Sequence, residues 1–307
     1  MKKLDLDIII PTRNRSDMLL NTIRELKKNI FFFKEIIVVD SSNKFHKSKI
    51  KNFKNKIKVK MKVYNSKPSI SLQRNIGLDK VIKKRKYVMF LDDDLIFKKN
   101  AFKKMYSFVK KNRNLAGIGF NLNIKKVNFF TESLKKNKLT KLLGIYDTKM
   151  GIVTPSGWQT KAINLKRDLK VEWIPTQAVI YNNEKIKNLK FDTAYGKYSY
   201  LEDLDFSYSL SRRGKLMICS SANYISENTV NRNDYNFGIK EILNRYHFVN
   251  KFNFKKKYFF IGFLFSFLKN FLILLCLKPN FFLRIMGNLN AIFKIIFGLK
   301  SNENYKK

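Results

Sequence analysis

The stretch KYVMFLDDDLIF, residues 86–97, decides how the rest of the chain is read. Its apolar run, Tyr87–Leu91, has the length of a strand and stops at the consecutive aspartates Asp92, Asp93 and Asp94. A short uninterrupted apolar run marks a strand buried on both faces. Adjacent carboxylates repel one another, so such a triplet is either a solvated acidic turn or a site that a cation neutralises. In open α/β sheets, ligands bind beyond the carboxyl ends of the strands, which is where this triplet falls.

The same grammar extends on both sides. LDIII (6–10) reads as a buried strand followed by a PTRN loop, and Ser16 as the cap of a helix with Leu19, Ile23 and Leu26 on one face. EIIVVD (35–40) is a second buried strand with Asp40 at its exit. IKVKMKVYN (57–65) alternates apolar and basic residues, as an exposed strand does, and residues 69–84 read as a helix starting near Ser69. A helix over 99–111 and the apolar LAGIGF (115–120) come after the triplet. Strands alternating with helices predict an α/β fold, a mostly parallel central sheet flanked by helices. Residues 123–170 show weak periodicity and read as loops and short elements. VEWIPTQAVIYNNEKIKN (171–188) reads as two strand-like pieces and a helix start, and YLEDLDFSYSLSRRGKLMI (200–218) as a helix, Gly214 at its end, and a strand.

Composition narrows the chemistry. Lys and Arg number 63 against 23 Asp and Glu, a net charge of +40, so the surface attracts polyanions and anionic lipid head groups. The lysines are spread from end to end rather than gathered in a basic helix with interleaved aromatics, which argues against a specific nucleic-acid reader. Two cysteines far apart, Cys219 and Cys276, exclude a disulfide framework, and His46 and His247 have no ligand-spaced partner. A metal here is held by oxygen, which selects Mg²⁺ or Mn²⁺. No G-x-G-x-x-G opens the first helix and no P-loop occurs, so neither a dinucleotide fold nor a P-loop enzyme is supported. The segment MKKLDLDIIIP is broken by Asp5 and Asp7 and is not a secretory signal, so the catalytic part is expected on the cytoplasmic side.

A second acidic cluster sits in LEDLD. On a helix Glu202 and Asp205 share a face and Asp203 points about a quarter-turn away. Acidic residues suit a helix N-terminus through its dipole, and a carboxylate here can equally serve as a general base. Trp158 and Trp173 are candidates for stacking on a sugar ring or for simple burial.

In order, DIIIPTRNR, EIIVVDSS, SLQRNIGL, YVMFLDDDLIF, VEWIPTQAVIYNNEKI and YLEDLDFSYSLSRRG resemble the family 2 glycosyltransferases of GT-A fold, over roughly residues 5–220. The resemblance implies inverting transfer of a sugar from a UDP-, dTDP- or GDP-linked donor to a hydroxyl. It assigns Pro11, Thr12, Arg13, Asp40 and Arg74 to the donor pocket. Asp92 and Asp93 join them, with Asp94 as the main metal ligand and Asp92 facing the ribose or the metal. It makes Asp203 the catalytic base, with Glu202 as its rival. Trp158, Trp173 and Gln177 are the candidates for the acceptor side. VDSSN and PTQA depart from the family pattern, where a second acid and a glycine-rich stretch are common.

Residues 1–250 are expected to form the transferase domain and 251–307 membrane-associating helices with a basic tail. YFFIGFLFSFLKNFLILLCL (258–277) is long enough to span a bilayer, but Lys269 and Asn270 fall near its middle, and a central lysine costs about 2.5–3.5 kcal/mol. A polar stripe of Gly262, Ser266 and Lys269, and another of Arg284, Asn288 and Lys294, fit helices lying in the membrane plane. A peripheral or monotopic enzyme with a lipid-linked glycan acceptor is the expectation. The rivals are a nucleic-acid-binding protein, a nucleotidyltransferase, which would want a glycine-rich loop near the first strand, and an inactive membrane scaffold.

Overall fold

The computed structural model describes residues 3–81, 85–124, 137–196, 199–226, 232–276 and 281–299; the basic tail and the end of the expected 69–84 helix lie outside them. The chain divides into two compact units, one of residues 1–125 with 162–228 and one of residues 126–161 with 229–307.

The first unit is built on one sheet. Its strands are β1 (Leu6–Thr12), β2 (Glu35–Asp40), β3 (Met61–Asn65), β4 (Tyr87–Leu91), β5 (Leu95–Phe97), β6 (Gly117–Leu122), β7 (Leu169–Val171), β8 (Ala178–Asn182) and β9 (Leu216–Ser226). They are ordered β3-β2-β1-β4-β8-β6-β9-β5, with β7 also on β9. The β3-β2-β1-β4 block is parallel throughout, β6 and β9 are parallel to each other, and β8 enters antiparallel between β4 and β6. The sheet is therefore mostly parallel, as expected.

The apolar runs split by parity across this sheet. Ile8, Ile10, Ile36, Val38, Met89 and Leu91 enter the core on one face. Ile9, Ile37, Val39, Val88 and Phe90 enter the core on the other. Both faces being covered is why these strands read as continuous apolar runs rather than as alternation.

Helices α1 (Ser16–Lys28), α2 (Lys44–Lys56), α3 (Ile70–Lys80) and α4 (Ala101–Lys111) follow β1, β2, β3 and β5. Three local readings are corrected. β1 continues through Pro11 and Thr12, because its parallel neighbour β2 registers Pro11 with Val39 and Thr12 with Asp40. Ser16 is not the cap of α1: Arg15 holds that position, and the Ser16 hydroxyl bonds His46 Nδ1 at 2.8 Å. The expected helix start near 183–188 is a run of turns. α3 begins where predicted, its N-cap Ser69 accepting from the Leu72 amide.

The second unit holds the short α5 (Lys138–Leu142) and three long helices, α7 (Tyr235–Lys251), α8 (Lys256–Cys276) and α9 (Phe281–Ile296). The expected boundary at residue 250 falls within α7, which packs against α8 and α9. α7 meets α9 where two glycines face each other: a Cβ on Gly238 would collide with the Arg284 carbonyl, and one on Gly287 with the Tyr235 carbonyl. Among the described residues no helix is long and apolar enough to cross a membrane.

Candidate active site

The carboxyl ends of β1, β2 and β4 bring Thr12, Asp40 and the aspartate triplet to one edge of the first unit. Register does this: Thr12 is paired with Asp40 across the β1–β2 ladder, and β4 lies on the other side of β1. Each acidic side chain then finds a different environment.

Asp93 turns inward. It accepts a 2.6 Å hydrogen bond from the Thr12 hydroxyl, and its carbonyl accepts from Thr22 at 2.9 Å. Arg15 lies over the outer side of the triplet, its Nη1 donating to Asp94 Oδ2 at 3.0 Å and reaching Asp93 at 3.4 Å. Asp92 points the other way, toward Arg74, whose Nη2 stands 3.2 Å from Asp92 Oδ1. The Asp92 amide donates to the Gln177 carbonyl at 2.8 Å, which ties the triplet to the residue preceding β8.

Arg74 joins the two acidic clusters. Its Nη1 pairs with Glu202 at the start of α6 (Glu202–Ser211), and its guanidinium lies over the Phe191 ring at 5.5 Å. α3 approaches β1 closely enough to place Arg74 because residue 77 is glycine; a Cβ there would collide with Ile9. Gln73, one residue earlier, donates to the carbonyls of Thr12 and Val39 at 2.9 and 2.8 Å and so clamps the helix to the ends of β1 and β2. α6 is presented by strained backbone, since its N-cap, the buried Leu201, has φ +78°.

Electrostatics follow from this crowding. Burial pushes the Asp92 carboxyl up to about 7, with Arg74 opposing and the charges of Asp94 and Asp93 adding to the rise. Burial likewise raises Asp93 to about 6, against the Thr12 hydrogen bond. Glu202 rises to about 8, first through burial and then through the charge of Asp203, with Arg74 pulling back. For Arg74 itself burial favours the neutral form, but Glu202, Asp92 and Asp203 outweigh it and hold the guanidinium charged. The site thus carries more carboxylates than its cations neutralise.

That imbalance bears on a metal. Among the described residues no group of three or more His, Cys, Asp or Glu side chains is arranged to hold an ion. Asp94 and Asp92 are partly accessible oxygen donors, at 12% and 25% side-chain exposure. Mg²⁺ in nucleotide sites takes one or two carboxylates and completes its shell with phosphate oxygens and water, so these two residues fit such an ion.

The other expected residues are placed as follows. Asp40 is buried; its Oδ1 accepts from the Ser42 amide at 2.8 Å, and its Oδ2 has no hydrogen-bond partner among the described residues. Pro11 lies within β1 and Arg13 is exposed. Asp203 is half-buried one residue after Glu202, and its charge acts on Arg74, Tyr181 and Tyr224. Asp205 accepts from the buried Tyr195 hydroxyl at 2.8 Å. Gln177 Oε1 accepts from Tyr224 at 3.2 Å. Trp173 is buried in the first unit, whereas Trp158 belongs to the second, where Arg245 lies over its ring at 4.4 Å. Sequence reasoning missed Arg15, Gln73 and Tyr224. The first two adjoin motif residues that were singled out, and that adjacency was the available signal.

The family model for glycosyl transferase family 2 matches residues 7–170, more than half of the chain. The chain belongs to glycosyl transferase family 2. The minor teichoic acid biosynthesis protein GgaA of Bacillus subtilis (strain 168) is 37% identical over 109 residues, a match covering 33% of this chain and 24% of that protein. Among solved structures, the mannosyltransferase PcManGT from Pyrobaculum calidifontis, in complex with GDP-Man and Mn²⁺, superposes with a TM-score of 0.59 at 12% identity, over 98% of this chain and 89% of its own. Residues 1–349 of S. aureus TarS superpose with a TM-score of 0.54 at 20% identity, covering 96% of this chain and 80% of that one. At these identities the structural likeness speaks for the fold, which is GT-A.

Proposed function

We propose that this family 2 enzyme transfers a sugar from a nucleoside-diphosphate sugar to a hydroxyl of a lipid-linked surface glycan, by a single displacement that inverts the anomeric carbon. The observation that carries the reading is Arg74, one guanidinium shared by the aspartate triplet at the tip of β4 and the acidic start of α6. It supports a site in which donor and acceptor chemistry meet. A nucleotide sugar as partner is also in keeping with the GDP-Man in the PcManGT structure, and a surface-polymer acceptor with the teichoic acid role in the name of GgaA.

Asp40, with its unpartnered Oδ2, is suited to accept a hydrogen bond from the nucleoside. Thr12 and Arg15 fix the conformation of the triplet. Asp94 and Asp92 would hold Mg²⁺ or Mn²⁺, and the ion's contribution when bound is to neutralise the charge that develops on the diphosphate leaving group. Arg74 adds a fixed, buried positive charge beside it. Asp203 takes the proton from the attacking hydroxyl. Asp203 is preferred to Glu202 because Glu202 is buried against Arg74, while Asp203 is only half-buried.

A panel of UDP-, dTDP- and GDP-sugars, screened for binding and slow hydrolysis with and without Mn²⁺, tests the reading. One donor class should bind in a metal-dependent manner. Asp203→Asn should then lower turnover by about a hundredfold or more with donor affinity retained. Collapse of donor affinity in that variant would remove the base assignment. Binding of no member of the panel would remove the function.

A further inference from the structure

The two C-terminal helices are inside out relative to a water-soluble pair. The polar stripe that sequence alone would turn toward water is turned inward. On α9, Arg284 donates to both oxygens of buried Glu241 at 2.8 and 3.0 Å, and Asn288 donates to the Gly238 carbonyl at 2.8 Å. On α8, Gly262 packs on Trp158, Lys269 reaches the Tyr146 hydroxyl at 3.4 Å, and Asn270 is buried.

The opposite faces are apolar and bare. Phe260, Leu264, Leu268 and Leu272 recur every four residues along α8, and Leu264 is 56% exposed. Phe282, Met286 and Phe293 form the corresponding stripe along α9, continued just past its end by Phe297, which is 63% exposed. Single exposed apolar side chains need no explanation, but two ordered stripes on helices whose Lys269, Asn270, Arg284 and Asn288 are turned into the second unit do.

From this we infer that α8 and α9 form a membrane-docking surface, which lays its apolar stripes into the interfacial layer of an anionic bilayer without crossing it. Charge selects this occupant. Residues 255–299 contain no Asp or Glu, and Lys255, Lys256 and Lys257 are exposed at the head of α8. Cations beside an apolar helix face are attracted by anionic head groups while the apolar residues insert. A second copy of this chain on the same face would bring together two surfaces lacking any acidic residue, in a molecule of net charge +40. Crossing is disfavoured because Lys269 and Asn270 lie at the middle of α8 and are held by the second unit's own core. The inference rests on the second unit alone and stands independently of the transferase chemistry.

The test is flotation of the full chain with vesicles of phosphatidylcholine, with and without phosphatidylglycerol. It uses wild type and Leu264→Glu/Phe293→Glu, with circular dichroism to verify folding and sedimentation velocity to report size. Both positions are exposed, so the variant should fold. The wild type should float with the anionic vesicles and retain part of that binding in high salt, because apolar burial is not screened. The variant should lose about tenfold or more of the affinity. Equal binding by both proteins, or no binding by the wild type, would overturn the inference. A wild-type dimer that the variant converts to monomer, without vesicle binding, would assign the face to a second copy and overturn it too.

Discussion

At the scale of single residues, the central feature is one arginine among carboxylates that burial has made reluctant to ionise. Glu202 offers a clean check. Its ordinary value is 4.5 and in the folded site it is raised to about 8, mainly by burial and then by Asp203. Between those values the folded protein holds a proton that the unfolded chain has released. Stability from this group therefore declines as pH rises across that window. Glu202→Gln cannot ionise and should flatten the decline. Thermal melts at a series of pH values should show wild type losing stability relative to the variant from about pH 5 to pH 8. Parallel curves would mean that Glu202 is ionised throughout. The residue types of this site were legible in the sequence because carboxylates after apolar strands are conspicuous. The partners were not. That Thr12 would bond Asp93, 81 residues away, or that Arg15 rather than Arg13 would cover the triplet, depends on register and side-chain direction, which spacing does not carry.

At the scale of elements, the strands were the most readable part, because burial on both faces leaves an unbroken apolar run. β2 and β4 begin and end where the sequence put them. β1 was read too short because Pro11 lacks a donor; in the structure the strand carries it all the same, in register with Val39. Helix ends in the first unit were legible where a side chain caps them, as Ser69 does, and misread where Ser16 is occupied by His46 instead. In the second unit the polar stripes were visible but their direction was not, because an i, i+4 pattern identifies a face without saying what it faces. The contact of α7 with α9 gives a prediction at this scale. Gly287→Ala would drive a methyl into the Tyr235 carbonyl, and backbone cannot yield as a side-chain tip can. We expect a loss of about 1–3 kcal/mol in urea unfolding. An unchanged midpoint would show that the helices can separate at no cost.

At the scale of the whole molecule, a family 2 sheet carrying an acidic, arginine-bridged edge is combined with a helical unit whose bare faces are apolar. A net charge of +40 spread over the whole chain says little about the fold but much about the company the surface keeps. The organisation into two units was partly legible: the last of the quoted motifs ends at residue 214, just past α6, and the composition turns strongly apolar after residue 257. The assignment of residues 126–161 to the second unit was not, since their weak periodicity gives no indication of what they pack against. The claim on which the enzymatic account depends is that Asp94 and Asp92 hold a divalent cation against a donor diphosphate. The most direct measurement is the anomalous difference density of crystals grown with Mn²⁺ and the nucleoside diphosphate of the preferred donor, from wild type and from Asp94→Asn. The account predicts a manganese peak within bonding distance of the Asp94 carboxylate and of the diphosphate oxygens, absent or strongly reduced in the variant. A peak remote from the triplet, or an unaltered peak in Asp94→Asn, would contradict it.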